Sequence, residues 1–229
     1  PGVTLTIEPG VQVLYTGAYE ILVKGTIIAN GTANDSIVFT TYTPGISSGA
    51  RMLKFVGANL SNSQLSYIRM SYADESIMVG WGGGEHNPGE PCTGTLTVTH
   101  VNIENAEVRT GGYQTTARLV LDSAVISSTT VIGQYPRSEP IDIKNAIISQ
   151  CTINSDAYNY GITIENSLVL NSQLLIGCCG ANLHLIDCTV LESSVGEGMG
   201  SPVNGQLEIV NSKLVSTPIN LPAANVVMS

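Results

Sequence analysis

The sequence predicts an all-β fold: a right-handed, single-stranded parallel β-helix of about eight to nine coils, three short strands to a coil. Three observations carry this. Alternating apolar and polar residues form a motif that recurs every 21 to 24 residues from Leu96 onward. Each copy is broken twice by a polar residue followed by a small one. Helical periodicity never runs longer than a few residues. A repeat this short cannot bury a hydrophobic face alone, so its copies must stack.

The N-terminal third holds the less regular coils. Alternation places strands near Leu5–Ile7, Val11–Leu14, Ile21–Val23, Thr26–Ala29 and Ile37–Thr40, with turns at Pro9-Gly10, Gly25 and Asn30-Gly31. The regular copies follow as LTVTHVNIENAEV from Leu96, LVLDSAVISSTTV from Leu119 and IDIKNAIISQCTI from Ile141. They continue as ITIENSLVLNSQL from Ile162, LHLIDCTVLESSV from Leu183 and LEIVNSKLVSTPI from Leu207. Period-2 alternation marks half-buried strands, and the breaks mark the corners between them.

Aligned, the first corner falls at Tyr67, His100, Ser123, Asn145, Asn166, Asp187 and Asn211. The second falls at Tyr72, Asn105, Ser128, Gln150, Asn171, Glu192 and Ser216. Asn and Asp tolerate left-handed backbone angles, which suits a sharp bend between strands. The small residues that follow suit a narrow interior: Val101, Ala124, Ala146, Ser167, Cys188 and Ser212 after the first corner, and Ala106, Thr129, Cys151, Ser172, Ser193 and Thr217 after the second. Crossover chirality favours the right-handed winding.

The run VTLTIEPGVQV…ILVKGTIIANGTANDSIVFTT resembles the opening coils of bacterial and archaeal secreted parallel β-helix repeat proteins, which are similar in fold to pectate-lyase-type solenoids. The match covers residues 3 to about 80 by phrase and the remainder by repeat pattern. It implies a β-helix in an extracellular or cell-surface compartment. That family mixes adhesins, polysaccharide-processing enzymes and members of unknown role, so the resemblance leaves the chemistry open. The expected organisation is one β-helix domain over residues 1–229, a segment of a larger protein, with an inserted loop at 79–95.

Composition narrows the function. With 18 acidic against 9 basic residues the net charge is −9, and no basic stripe exists for nucleic acid. The same charge disfavours anionic membranes and strongly anionic glycans. No segment approaches the roughly 18–20 apolar residues that span a bilayer. Among the five cysteines, Cys151 and Cys188 fall in inward columns as small buried hydrophobes. Cys92, Cys178 and Cys179 lie in loops, where a disulfide could form.

The clearest irregularity is VGWGGGEHNPGEPCTGT from Val79 to Thr95. It holds the only Trp, and an aromatic platform beside acids and a His is what a sugar-binding cleft uses. Trp81, Glu85 and His86 are the candidate ligand-binding residues. Solenoid insertions often carry function. Glu85 and Glu90 are also candidates for an acid–base pair, and Lys144 for a lyase base.

Lys144 stands in an outward column with Asp122 and Glu165, near Asp142, where acids around a Lys could hold calcium. The competing reading is a charge ladder in which Lys144 relieves carboxylate repulsion. No other cofactor is expected and no metal site is assigned. His184 points out and Cys188 points in, so neither they nor Cys178 and Cys179 converge. The Asp-Asp, Gly-His-Gly and clustered Arg/Lys motifs of catalytic β-helices are absent.

The middle strand is apolar on both faces. Its outward positions hold Val125, Ile147, Leu168, Leu170, Leu191 and Val215, and such strands are normally covered on both sides. This stripe is a candidate interface with a second copy, another domain or a long loop. The expected role is non-catalytic: a structural, adhesive or carbohydrate-binding module whose partner is a polysaccharide or another protein surface. A polysaccharide lyase or hydrolase with its cleft near 79–95, and a self-assembling filament subunit, are the alternatives.

Overall fold

Each copy of the motif closes one turn, because its inward residues find cover only in the copies before and after it. The result is a parallel β-solenoid of about eight turns, one for each strand of its eight-stranded sheet. The structure is a computed structural model and describes residues 2–43, 49–80, 91–111, 116–134, 141–156, 161–177, 180–198 and 204–229. Among the described residues helix is confined to two 3-10 turns, Leu60–Asn62 and Ala223–Asn225.

First and middle strands share one 17-stranded sheet, and third strands form the second sheet of eight. The third strands run from Glu20–Val23 and Arg51–Phe55 through Glu75–Val79 to Ser194–Glu197. Every pairing is parallel, with equivalent motif positions in register: Leu96 opposite Leu119, then Ile141, Ile162, Leu183 and Leu207. Three inward columns fill the interior. Leu121, Ile143, Ile164 and Leu185 come from first strands, Ile126, Ile148, Val169 and Val190 from middle strands, and Val108, Val131, Ile153 and Leu174 from third strands, all fully buried. A parallel sheet needs this continuous cover.

The corners set the register. Among the described residues fourteen non-glycine residues have φ between 45° and 60°, and they are the two corner columns read from the sequence, Tyr67 to Asn211 and Tyr72 to Ser216. The left-handed residue turns the chain and redirects its hydrogen bonds. The corner N–H reaches a carbonyl of the following turn, as from Asn166 to Ile186 at 2.9 Å, while two residues on, Leu168 N–H reaches back to Ala146 at 2.9 Å. The N–H between them needs another acceptor.

The post-corner side chain of the next turn supplies it. Ala146 N–H donates to Ser167 Oγ at 3.0 Å and Cys188 N–H to Ser212 Oγ at 2.9 Å. At the second corner, Cys151 N–H donates to Ser172 Oγ at 3.1 Å and Ser172 N–H to Ser193 Oγ at 3.1 Å. Each hydroxyl then donates to the carbonyl two residues before it, Ser172 to Leu170 at 2.7 Å and Ser193 to Leu191 at 2.8 Å. Cys151 and Cys188 make the same backward contact through their thiols, at 3.2 Å. Size alone does not explain these columns; their hydroxyls continue the backbone ladder around the bends where they occur.

Outside the bend the corner side chains stack as well. Asn166 Nδ2 donates to Asn145 Oδ1 at 2.6 Å and Asn145 Nδ2 to Asp122 Oδ1 at 2.8 Å. The Tyr67 and His100 rings stack at 4.4 Å.

A buried backbone donor left without a partner costs about 1–3 kcal/mol. Ser172→Ala should therefore lower unfolding free energy by about that amount, and Ser172→Cys by less. Ala146 offers no acceptor to the turn before it, so Ala146→Ser should stabilise by about 0.5–1.5 kcal/mol. Denaturant melts of the three variants check the set.

Candidate functional site

The outward face of the first strands carries most of the charge in the later turns. Alternation puts Thr97, Val120, Asp142, Thr163, His184 and Glu208 in one in-register row, with Asp122, Lys144 and Glu165 in the next. Neighbouring turns lie about 4.8 Å apart, close enough for a long side chain to reach the next copy.

Three side-chain pairs form that way. Lys144 Nζ meets Glu165 Oε2 at 2.8 Å. His184 Nδ1 meets Glu208 Oε2 at 2.6 Å. Arg118 closes on Asp142 Oδ2 through both Nε and Nη2. Asp142 is buried although its strand parity is outward, while the Arg118 side chain is 45 % exposed. Asp122, which lies beside Lys144 in register, is bonded to Ser123 and Asn145.

These contacts bear on the chemistry of Lys144. The hydrogen bond that the ammonium donates to Glu165 holds it above the usual lysine range, outweighing the opposing effect of burial. A lyase base needs the reverse, a lysine poised to lose its proton. The pair is a cross-strand charge ladder, each charge answered one turn along. Among the described residues no group of three or more His, Cys, Asp or Glu could hold a metal ion. His184 is partly exposed on the outer face, whereas Cys188 is buried and donates to Ile164 and Ile186.

Trp81, Glu85, His86 and Glu90 lie outside the described residues, as do Cys178 and Cys179. The position of their insertion is nevertheless fixed at both ends. It leaves the third strand Glu75–Val79 and enters the first strand Thr93–Glu104. There Thr93 and Thr95 stand in register with Thr116 and Arg118. The insertion therefore joins the edge of the face that bears the Arg118–Asp142 pair. Cys92, at its far end, is buried in the core.

The apolar stripe runs diagonally over the middle strands. Val125, Ile147 and Leu168 stack in one outward column and Leu170, Leu191 and Val215 in the neighbouring one. Val125, Ile147 and Val215 are exposed at 43 %, 48 % and 39 %; Leu168, Leu170 and Leu191 are half-buried.

Arg118 and Glu208 were not singled out from sequence. The signal for Glu208 was present, since it follows His184 at the same motif position one copy later. Arg118 precedes the motif, where alternation alone gives no partner.

Glu75 is a second buried carboxylate, at the start of a third strand. It shares register with Arg51, and its Oε2 lies 3.2 Å from the Arg51 Nε without an aligned hydrogen bond. Burial pushes its pKa above the usual carboxylate value despite Arg51, Arg109 and Lys54 nearby.

No protein-family model matches the chain, and no curated protein matches it. Among solved structures, the catalytic domain of Agl-KA is similar at 8 % identity and a TM-score of 0.39, over 98 % of this chain and 61 % of that one. The GH136 lacto-N-biosidase of Eubacterium ramulus is similar at 9 % identity and a TM-score of 0.37, over 95 % and 63 %. The Streptococcus pneumoniae surface protein and adhesin PfbA is similar at 11 % identity and a TM-score of 0.34, over 98 % and 66 %. The chain thus spans less than two thirds of the length of each of these three. None of them lends this chain a residue or a reaction. No helix among the described residues is long and apolar enough to cross a membrane.

The raised pKa of Glu75 has a pH signature. A carboxyl that binds its proton more tightly in the native state adds stability that is fully present below the ordinary carboxylate pKa. That stability is lost as pH rises through the raised value. Glu75→Gln should therefore raise the melting temperature relative to the parent near neutral pH. The difference should shrink as pH falls below the carboxylate range, which paired thermal melts across pH would show.

Proposed function

We propose that this chain is a non-catalytic, carbohydrate-binding β-helix module of a larger extracellular or cell-surface protein. Its polysaccharide lies along the first-strand face beside the 79–95 insertion. The observation that supports this reading is the pairing of the charges on that face. Arg118, Lys144 and His184 each meet a carboxylate of the adjacent turn, and Lys144 is held in its charged form. A general base needs a free group tuned toward the working pH. A row of neutralised polar side chains on a rigid sheet suits instead a ligand rich in hydroxyls, gripped by hydrogen bonds and by the Trp81 ring.

Purified protein incubated with a panel of polysaccharides, with and without calcium, tests this. Retention without chain shortening is expected. It should disappear in Trp81→Ala and persist in Glu85→Gln, Glu90→Gln and Lys144→Ala. Shortened polymer abolished by one of those last three changes would make the chain a lyase or hydrolase and overturn the proposal.

The exposed stripe supports a second, structural role. We infer that Val125, Ile147, Leu168, Leu170, Leu191 and Val215 seat a second copy of the chain, because an apolar ladder of this length on an outer face favours being covered. Leu168→Ser with Leu170→Ser should leave the β-sheet circular dichroism unchanged and abolish self-association in sedimentation. Parent and variant sedimenting alike as monomers would contradict it.

A further inference from the structure

The second turn makes its first corner differently from the later ones. Where they use one left-handed residue, it runs as a loop between the strands Thr26–Asn30 and Ile37–Thr41. The loop is internally held. Thr32 N–H donates to Asp35 O at 3.1 Å, and Asp35 N–H to Thr32 Oγ1 at 3.0 Å. It is tied to both neighbouring turns, Gly10 N–H donating to Asp35 O at 3.1 Å and Gly31 N–H to Ser66 O at 2.9 Å.

This longer corner leaves an open notch of about 430 Å³ on the outer wall. Gly10, Asn34, Asp35, Ser36, Val38 and Arg69 line it. Arg69 belongs to the next turn, in register with Val38. The notch is rich in hydrogen-bonding groups that no strand requires for its own pairing.

Its charges are the unusual part. Five of the described basic residues, Arg51, Lys54, Arg109, Arg118 and Lys144, are in ion pairs with carboxylates. Arg69 has no ion-pair partner among the described residues, although Asp35 lines the same notch. In a chain of net charge −9, a guanidinium and a carboxylate sharing a concavity without meeting leave space between them. Two residues before Arg69 the chain turns at Tyr67. His100 covers one face of that ring, and the order of the turns puts the other on the side of the Thr32–Ser36 loop.

We propose that this notch binds a small hydroxylated carboxylate of the sugar-acid class. Arg69 donates to the ligand carboxylate, the pairing for which a planar guanidinium is best suited. Asp35 accepts from ligand hydroxyls, and Asn34 and Ser36 both donate and accept. One guanidinium in so acidic a chain matches one carboxylate and not a polyanion, so the ligand is a free sugar acid or the terminal residue of a glycan. The notch lies at the first corner of the second and third turns, and stands or falls independently of the proposal for the first-strand face.

The test is titration of the full chain with D-glucuronate, D-glucose, acetate and L-alanine, followed on its backbone amide resonances. Glucuronate should shift Gly10, Asn34, Asp35, Ser36 and Arg69 saturably, with glucose, acetate and alanine each at least about tenfold weaker, the worth of one charge-assisted contact. Arg69→Ala should abolish the saturable shifts without moving the melting temperature, because the side chain is exposed; Arg69→Lys should keep part of the affinity. A disaccharide ending in glucuronate that binds at least as well identifies a glycan terminus as the source, and one that fails while glucuronate binds identifies the free acid. Absence of saturable shifts with glucuronate, equal affinity for acetate or alanine, or an unchanged response in Arg69→Ala would overturn the assignment.

Discussion

The rest of the structure depends on how the backbone gets around its corners. A parallel solenoid gains its stability from unbroken ladders between turns, yet each bend reverses the peptide groups and strands one donor in the interior. The left-handed corner residue makes the bend, and where the residue after it is Ser its hydroxyl accepts that donor from the preceding turn. Because donor and acceptor belong to consecutive copies, the contact holds the turns in register as it satisfies the bend. A slip by one residue would empty the ladder and expose the apolar columns together.

Register, once fixed, dictates what the outer faces can do. Equivalent positions stack about 4.8 Å apart, so a charge on one turn always has a neighbour in the next. Lys144 against Glu165 and His184 against Glu208 follow directly. Such ladders quiet the face chemically, since each group spends its charge on the adjacent turn. The departures therefore draw interest. The Thr32–Ser36 corner breaks the one-residue rule and leaves Arg69 without an ion-pair partner among the described residues. The middle-strand stripe breaks the rule that outward positions are polar.

Much of the fold was legible because geometry constrained residue type narrowly. Fourteen corners could be read since a left-handed backbone in repeated register selects Asn, Asp, Ser and a few others. The inward columns could be read from alternation. The small residues after the corners were legible in size but not in purpose. Their bias toward Ser, Thr and Cys over Ala was the clue that a hydrogen bond was required. Burial of Asp142 was not legible, because parity assigns it to the outside and its partner Arg118 lies ahead of the repeat. The Arg69 notch was missed because Thr32–Ser36 reads as an ordinary turn. Its length, set against single-residue corners elsewhere and followed by an outward Arg, was the available sign. Trp81, Glu85, His86 and Glu90 stand in a segment whose composition breaks the repeat, so periodicity says nothing of their arrangement.

Hydrogen exchange at single-residue resolution tests the central claim most directly. If post-corner side chains carry the ladder through the bends, the amides of Ala146, Cys151, Ser172 and Cys188 should exchange as slowly as those of the adjoining strand residues Ile148, Val169 and Val190. Exchange of those four amides at loop rates, orders of magnitude faster than the strands beside them, would contradict it.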